Sequence, residues 1–119
     1  MHKNDFFSIV SNLFSNSHKA MMFSKQKSKN PKITFAAKTT DEEYIFIWSD
    51  NGCGIEPEEQ EHIFNPLVRG KAGKMSKLGT GLGLNIIRDA VNDYLGSITV
   101  TNLSNPTEFT IRIPKNKLS

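Results

Sequence analysis

The apolar residues near the start of the chain recur every three or four positions, which is the spacing of an amphipathic helix. This series predicts a helix from Phe6 to about Met22, and its members are Phe6, Phe7, Val10, Leu13, Phe14 and Met21. A second series of the same kind predicts a long helix that Gly96 ends, in the position that a C-terminal cap favours. Its members are Leu82, Ile86, Ile87, Ala90, Val91 and Tyr94.

Other segments carry the patterns of strands. Residues 33–37 alternate between apolar and polar side chains, which predicts a half-buried strand. Residues 44–48 are apolar on both faces and rich in aromatic and β-branched side chains, which indicates a central strand. Residues 97–101 and 108–113 predict two closing strands, with a turn at residues 105–106 (Asn-Pro).

The order of these elements predicts the fold class. A short acidic helix is expected after Pro57, and residues 66–77 show no periodicity, which is typical of a functional or mobile loop. The whole order predicts an α/β (α+β) two-layer sandwich, in which a mixed, mostly antiparallel sheet packs against about three helices. At 119 residues the chain is expected to form a single domain over residues 1–119.

The composition is that of an ordinary globular protein, with 37% hydrophobic and 23% charged residues. No apolar run approaches the roughly 18 residues that a membrane span needs, and the polar start shows no secretory signal. We therefore expect no membrane contact by this domain and a cytoplasmic setting, which includes the cytoplasmic part of a membrane-bound sensor. Cys53 is the only cysteine, so an internal disulfide and a cysteine-based metal cage are excluded.

Two basic clusters carry the net charge of +3. The first, between Lys25 and Lys32, is expected to be a solvated loop. The second consists of Arg69, Lys71, Lys74 and Lys77, with no acidic residue among them. Clustered cations can bind nucleic acid, but the aromatic residues lie at core-like positions and are not interleaved with these cations. A nucleic-acid partner is therefore disfavoured.

Three alternate glycines stand at the predicted start of the second helix, in the segment Gly79-Thr80-Gly81-Leu82-Gly83-Leu84. Free backbone N–H groups and the helix dipole favour an anion such as phosphate there, although a simple turn would use similar residues. The cations Arg69 and Lys71 precede this segment, so their loop can close over a polyphosphate as a lid. A dinucleotide fingerprint does not fit, because no strand of a βαβ unit comes before the glycines.

Two further groups of polar residues suggest a nucleotide. One face of the first helix carries Ser8, Asn12, Asn16 and Lys19. An amide oxygen on this face can ligate Mg²⁺ and a lysine can meet a phosphate, with a solvated helix face as the alternative. Asp50 ends the central strand, and its carboxylate can accept a hydrogen bond from the amino group of adenine. Gly52 and Gly54 would let a base approach the backbone, unless the segment is an ordinary turn.

Taken in order, four segments resemble the motifs of the GHKL ATPases. This superfamily, which has the Bergerat fold, includes histidine kinases, type II topoisomerases, heat-shock chaperones and mismatch-repair ATPases. Residues 12–20 (NLFSNSHKA) resemble its asparagine box, and residues 50–55 (DNGCGI) its first glycine box. Residues 63–66 (IFNP) resemble its phenylalanine box, and residues 79–84 (GTGLGL) its second glycine box.

The resemblance implies a Bergerat fold with a mobile ATP lid, and ATP and Mg²⁺ as ligands. Asn16 would ligate Mg²⁺ with support from Asn12, Asp50 would recognise adenine, and Lys19 and the lid cations would hold phosphates. The residues expected at the ATP site are Asn12, Asn16, Lys19, Asp50, Gly52, Gly54, Ile55, Phe64, Arg69, Lys71, Gly79, Thr80, Gly81, Leu82, Gly83 and Leu84.

Within the superfamily, the chain looks like a sensor histidine kinase. The ATP-hydrolysing branch and the anti-sigma serine kinases typically place a glutamate base where this chain has Asn12, and an amide cannot usefully accept a proton. The sequence also departs from the family pattern. Ser17 stands where alanine is commoner, Leu67 where an aromatic residue often follows, and the usual glycines are absent from residues 104–109.

The resemblance implies that the domain donates the γ-phosphate of ATP to a histidine in two-component signal transduction. No catalytic residue is evident, and His2, His18 and His62 lack the context of an acceptor. The acceptor is therefore expected on a separate, histidine-bearing dimerisation domain N-terminal in the parent kinase, with a response regulator downstream. The alternative is a nucleotide-gated interaction module without kinase activity, in which ATP orders the lid and so creates or removes a partner surface.

Overall fold

The computed structural model describes residues 2–22, 30–60, 62–65 and 82–115, with only the backbone described at positions 82 and 83. The helices and strands of this part of the chain are α1 (Lys3–Met22), β1 (Ile33–Thr39), β2 (Glu43–Asp50), α2 (Leu82–Asn92), β3 (Ser97–Asn102) and β4 (Thr107–Pro114). The short helix expected after Pro57 is a single turn of 3₁₀ helix, Pro57–Glu59.

The four strands form one sheet in the order β1-β2-β4-β3. β2 is central, as its two apolar faces predict, and Trp48 pairs with Phe35 on one side and with Phe109 on the other. All three strand pairs are antiparallel, so the described strands do not form the mixed sheet that was expected. With two helices packed on it, this sheet makes the predicted two-layer α/β sandwich.

β1 is an edge strand, and its predicted half-burial is wrong beyond Ile33. The other six residues are exposed, including Phe35 with 46% of its surface accessible. The alternating pattern identifies the face on which the apolar side chains lie, but it does not say whether a helix covers that face. Phe35 stacks on Phe46 with ring centroids 6.1 Å apart, and Phe6 of α1 lies 6.4 Å from Phe46.

The hydrophobic core lies between the sheet and the two helices. Its principal members are Ile9, Leu13 and Ala20 of α1, Leu84, Ile87 and Val91 of α2, and Phe109, Ile111 and Ile113 of β4. The start of α1 is tied to the end of α2, because the Tyr94 hydroxyl donates to the Asp5 carboxylate at 2.7 Å and accepts from the backbone N–H of His2 at 2.9 Å. Among the described helices, none is long and apolar enough to cross a membrane.

The end of α2 differs from the prediction that Gly96 provides the cap. Leu95 takes the left-handed conformation, with φ of 60°, and its N–H donates to the carbonyl of Asn92 at 2.9 Å. The N–H of Gly96 donates to the carbonyl of Val91 at 3.0 Å, which completes a Schellman motif with Leu95 at its left-handed position. Glycine is required at position 96 for another reason, since a Cβ there would lie 2.4 Å from the carbonyl oxygen of Arg112.

Candidate nucleotide-binding site

Asp50 is the buried acidic residue at the end of β2, with 3% of its surface exposed. Its Oδ2 accepts a hydrogen bond from the Ser17 hydroxyl at 2.7 Å, and its Oδ1 accepts one from the backbone N–H of Gly52 at 2.8 Å. Both oxygens are therefore held by the protein. Each oxygen keeps a further lone pair, because a carboxylate has about four acceptor sites.

The pKa of the Asp50 carboxyl is raised above its ordinary value, and burial is the largest cause. Taking a carboxylate out of water disfavours its charged form. The hydrogen bonds from Ser17 and Gly52 act in the opposite direction and lower the pKa, because each donor stabilises the anion. In the ionised form Asp50 can only accept hydrogen bonds, so any ligand group that meets it must be a donor.

Ser17 connects Asp50 to a third buried side chain. The indole N–H of Trp48 donates to Ser17 Oγ at 2.8 Å, while Ser17 donates onward to Asp50. Trp48 and Asp50 lie two residues apart on β2, so their side chains point to the same face of the sheet. Ser17 meets both of them from α1. This three-residue chain of hydrogen bonds fixes α1 to the end of β2.

The polar face of α1 is not uniformly solvated. Asn16 has only 7% of its surface exposed, and its buried amide nitrogen has no hydrogen-bond partner within the part of the chain that the structure describes. Asn12 and Lys19 are half-buried, and the Asn12 amide nitrogen donates to the carbonyl of Ser8 at 2.8 Å. A buried polar group without a partner costs roughly 1–3 kcal/mol, which a polar ligand can recover. Asn16 stands next to Ser17, so this unpaired amide lies one residue from the contact with Asp50.

These residues fit a bound Mg²⁺ and nucleotide. The chemistry of the amides suits Mg²⁺, which prefers oxygen ligands, and rotation of the Asn16 amide can present its oxygen at the unpaired position. In the described part of the chain, no group of three or more His, Cys, Asp or Glu side chains could hold a metal ion instead.

The glycine segment after Asp50 packs between α1 and the turn that joins β3 to β4. A Cβ at Gly52 would lie 2.7–2.9 Å from atoms of Ala20, and the N–H of Cys53 donates to the Ala20 carbonyl at 3.0 Å. Gly54 has φ of 85°, and a Cβ there would lie 2.7 Å from Ser104 Cβ. We predicted that these two positions are glycine so that a base can approach the backbone. The structure gives another reason, because protein atoms already fill the space that a Cβ would need.

Three predicted site residues contribute packing. Ile55 and Leu84 are buried members of the hydrophobic core, with Leu84 fully inaccessible, so neither side chain is available to a ligand. Phe64 is half-buried and meets Phe109 edge-on, with ring centroids 6.4 Å apart. These side chains hold in place the segments on which they lie. The groups that could still contact ATP, as predicted, are the backbone of these residues and the exposed part of Phe64.

The remaining predicted site residues lie outside the described residues. They are Arg69, Lys71, Gly79, Thr80 and Gly81, while Leu82 and Gly83 contribute a described backbone at the start of α2. Sequence reasoning missed the roles of Ser17 and Trp48. Ser17 was noticed only as a departure from alanine, and Trp48 only as part of an apolar strand, because the contact between them joins residues far apart in the chain.

The four-stranded sheet with α1 and α2 packed on it, and Asp50 at the end of β2 in contact with Ser17 of α1, match the expected Bergerat fold. The sequence model of the histidine kinase-, DNA gyrase B-, and HSP90-like ATPases matches residues 1–117, and the chain belongs to this family.

Similar proteins point to one branch of the family. The chain is 41% identical over 68 residues to the sensory histidine kinase/phosphatase NtrB of Salmonella typhimurium, covering 57% of this chain and 18% of that protein. It is 36% identical over 112 residues to the sensor histidine kinase CitA of Klebsiella pneumoniae, covering 93% of this chain and 19% of that protein. The chain thus spans about a fifth of the length of these relatives.

Solved structures agree with this similarity. A nucleotide-free catalytic domain of the histidine kinase ThkA matches with a TM-score of 0.76 at 27% identity, covering 97% of this chain and 70% of that domain. The mycobacterial sensor histidine kinase MprB shares the fold, with a TM-score of 0.71 at 23% identity, covering 96% of this chain and 74% of that structure.

Proposed function

We propose that residues 1–119 form the catalytic ATP-binding domain of a sensor histidine kinase. In this proposal the domain binds Mg·ATP and presents the γ-phosphate to a histidine on a separate dimerisation domain, on the cytoplasmic side of the cell. The observation that carries it is the buried Asp50 carboxylate, held by Ser17 and Gly52. Asn16, the residue before Ser17 on α1, is also buried, and its amide nitrogen has no hydrogen-bond partner among the described residues.

In this proposal Asp50 would meet the adenine of ATP, and the polar face of α1 would meet its phosphates. The free lone pairs of Asp50 suit the exocyclic amino group of adenine, which is a hydrogen-bond donor. Asn16, supported by Asn12, would hold Mg²⁺, which would supply positive charge to the phosphates, and Lys19 would add a further cation. The predicted lid cations and the glycine-rich segment before α2 would complete the phosphate side.

The chain supports phosphoryl transfer rather than hydrolysis. Asn12 stands where ATP-hydrolysing members of the family typically have a glutamate base, and its amide nitrogen is engaged by the Ser8 carbonyl. Without a base to activate water, the contribution of the domain would be positioning and charge neutralisation. Turnover of ATP by the isolated domain is therefore expected to be very slow. The partners in this proposal are the dimerisation domain of the parent kinase and a response regulator.

The test begins with calorimetric titration of ATP, with and without Mg²⁺, into the wild-type domain, Asp50→Asn and Asn16→Ala. Each substitution is expected to weaken Mg·ATP binding by about tenfold or more, since a hydrogen bond or ligand to a charged group is lost. Asp89→Asn and Asn92→Ala make the same chemical changes at exposed positions of α2, and they should leave binding unchanged. A folded wild-type domain that binds no ATP would contradict the proposal.

Transfer is tested separately with radiolabelled ATP and a purified histidine-bearing dimerisation domain of a related sensor kinase. Label on the acceptor histidine, lost with Asp50→Asn, is the expected result. Normal Mg·ATP binding without transfer to any supplied acceptor domain would favour the nucleotide-gated interaction module instead.

A further inference from the structure

The directions of the hydrogen bonds around Ser17 are fixed by chemistry. The indole N–H of Trp48 can only donate, and an ionised carboxylate can only accept. Ser17, which lies 2.8 Å from the first and 2.7 Å from the second, must therefore accept from Trp48 and donate its single proton to Asp50. Trp48 is 6% exposed, Ser17 2% and Asp50 3%, so water has little access to replace any of these bonds.

We propose that Ser17 is a positioning residue that sets the preference of the site for a base with an exocyclic amino group. This inference rests on the proposed function and goes further, since it assigns base selectivity to a residue on the helix that would also hold Mg²⁺. The Ser17 hydroxyl holds Oδ2 of Asp50 while the Gly52 N–H holds Oδ1, so the plane of the carboxylate is fixed from two sides. The lone pairs that remain then have fixed directions.

The role of Trp48 is to fix the direction of the hydroxyl. A serine hydroxyl can rotate, and in a buried site it could turn its proton toward another acceptor. Because the Trp48 N–H occupies one lone pair of Ser17 Oγ, the hydroxyl proton is directed to Asp50. The hydrogen bond that Ser17 donates to Asp50 favours the anionic form of Asp50, whose pKa would rise further without it. Protonated Asp50 would offer a donor and would no longer select for an amino group.

An alanine at position 17 would keep the helix and remove only the oxygen. The Asp50 side chain would then be held by Gly52 alone, and the Trp48 N–H would lose its acceptor. We expect binding of ATP to weaken by about tenfold, the loss typical of one hydrogen bond to a charged group. Purine riboside triphosphate, which lacks the 6-amino group, should bind Ser17→Ala and wild type within twofold of each other.

The decisive quantity is the ratio of the dissociation constants of purine riboside triphosphate and ATP, measured calorimetrically with Mg²⁺. This ratio is expected to fall by at least fivefold in Ser17→Ala. It should be unchanged in Ser11→Ala, which removes an exposed hydroxyl from the same helix, and largely retained in Ser17→Thr, which keeps the hydroxyl. A purely structural role would weaken both nucleotides equally, and that result would overturn the inference while leaving the proposed function intact.

Trp48 supplies a second readout because it is the only tryptophan. Saturation with Mg·ATP is expected to shift its emission in the wild type, and the shift should fall by at least half in Ser17→Ala. Equal shifts in the two proteins would also overturn the inference. If the folded wild type binds neither nucleotide, the proposed function fails and the assignment of Ser17 fails with it.

Discussion

Gly96→Ala, which adds a single methyl group, is expected to destabilise the domain. A Cβ at this position would lie 2.4 Å from the carbonyl oxygen of Arg112, 3.0 Å from Val91 Cγ1 and 3.1 Å from Ile113 Cγ1. The first of these contacts is with backbone, which cannot rotate away as a side chain can. Gly96→Ala must therefore displace either the end of α2 or the strand pair between β3 and β4.

The expected cost follows from what such a displacement breaks. Arg112 pairs with Ser97, the first residue of β3, and Gly96 makes the hydrogen bond that closes the Schellman motif. Overpacking in a well-packed region typically costs 1–3 kcal/mol, and a lost backbone hydrogen bond adds about 1 kcal/mol. We expect Gly96→Ala to lower the free energy of unfolding by about 3 kcal/mol, which corresponds to a fall in Tm of roughly 10 °C for a domain of this size.

The neighbouring residue should respond in the opposite direction. Leu95 holds the left-handed conformation and is 63% exposed, so little packing is lost when its side chain is removed. The left-handed conformation costs a non-glycine residue roughly 1–2 kcal/mol, and glycine gives back about 0.5–1 kcal/mol through the entropy of the unfolded chain. Leu95→Gly is therefore expected to stabilise the domain by about 0.5–1 kcal/mol.

Urea unfolding followed by Trp48 fluorescence and circular dichroism measures both changes, with the midpoint shifting and the m-value unchanged. Binding of ATP to Leu95→Gly should equal that of the wild type. The reasoning is refuted if Gly96→Ala costs less than about 0.5 kcal/mol, or if Leu95→Gly destabilises, because either result would contradict the described geometry of the turn.

Two further predictions concern the site itself. Asn16→Leu, which replaces the unpaired amide nitrogen by a similar apolar group, should raise the free energy of unfolding by about 1 kcal/mol and remove Mg²⁺-dependent ATP binding. Asn12→Leu should not stabilise the domain, because the amide nitrogen of Asn12 is paired with the Ser8 carbonyl. If Asn16→Leu destabilises the domain, the Asn16 amide must already have a partner. Asp50 should make stability depend on pH, because its pKa is raised in the folded state above the ordinary 3.8. Between these two values the folded state binds more protons than the unfolded state, so its free energy of unfolding falls as the pH rises through that window and levels off above the folded pKa. Urea unfolding at several pH values should find this fall missing in Asp50→Asn, and an identical pH profile in the two proteins would contradict the burial of the carboxyl.

A sequence pattern predicted the structure well where it implies which other elements surround the segment, and poorly where it does not. The apolar side chains on both faces of β2 favour a position with strand neighbours on both edges, and β2 is central. The alternation in β1 predicts only a face, and the strand lies at the edge of the sheet. The helix-ending role of Gly96 was inferred only from its position after the apolar series in the sequence. The residue is glycine because β4 approaches it, and the left-handed position falls to Leu95.

The chemistry of single residues was enough to nominate Asp50 and Asn16 as site candidates, and both prove to be buried polar residues. The network around Asp50 was not predictable from such chemistry, because its contacts join distant segments, as for Ser17 with Trp48 and Asp50. Similarly, Gly52 and Gly54 were recognised as special positions, but the sequence could not show that Ala20 and Ser104 fill the space beside them.

The neighbouring residues Asn16 and Ser17 show that the polar face of α1 is not uniformly solvated. A solvated face would leave its asparagine open to water, yet Asn16 is 7% exposed and its amide nitrogen has no partner among the described residues. Ser17, one position on, is also buried, with 2% of its surface exposed, but it has partners for both its donor and an acceptor site. The protein therefore satisfies one buried polar group fully and leaves the adjacent one unsatisfied. Since an unsatisfied group lowers stability, a polar ligand that supplied the missing partner of the Asn16 amide would recover this cost, as the proposed nucleotide site requires.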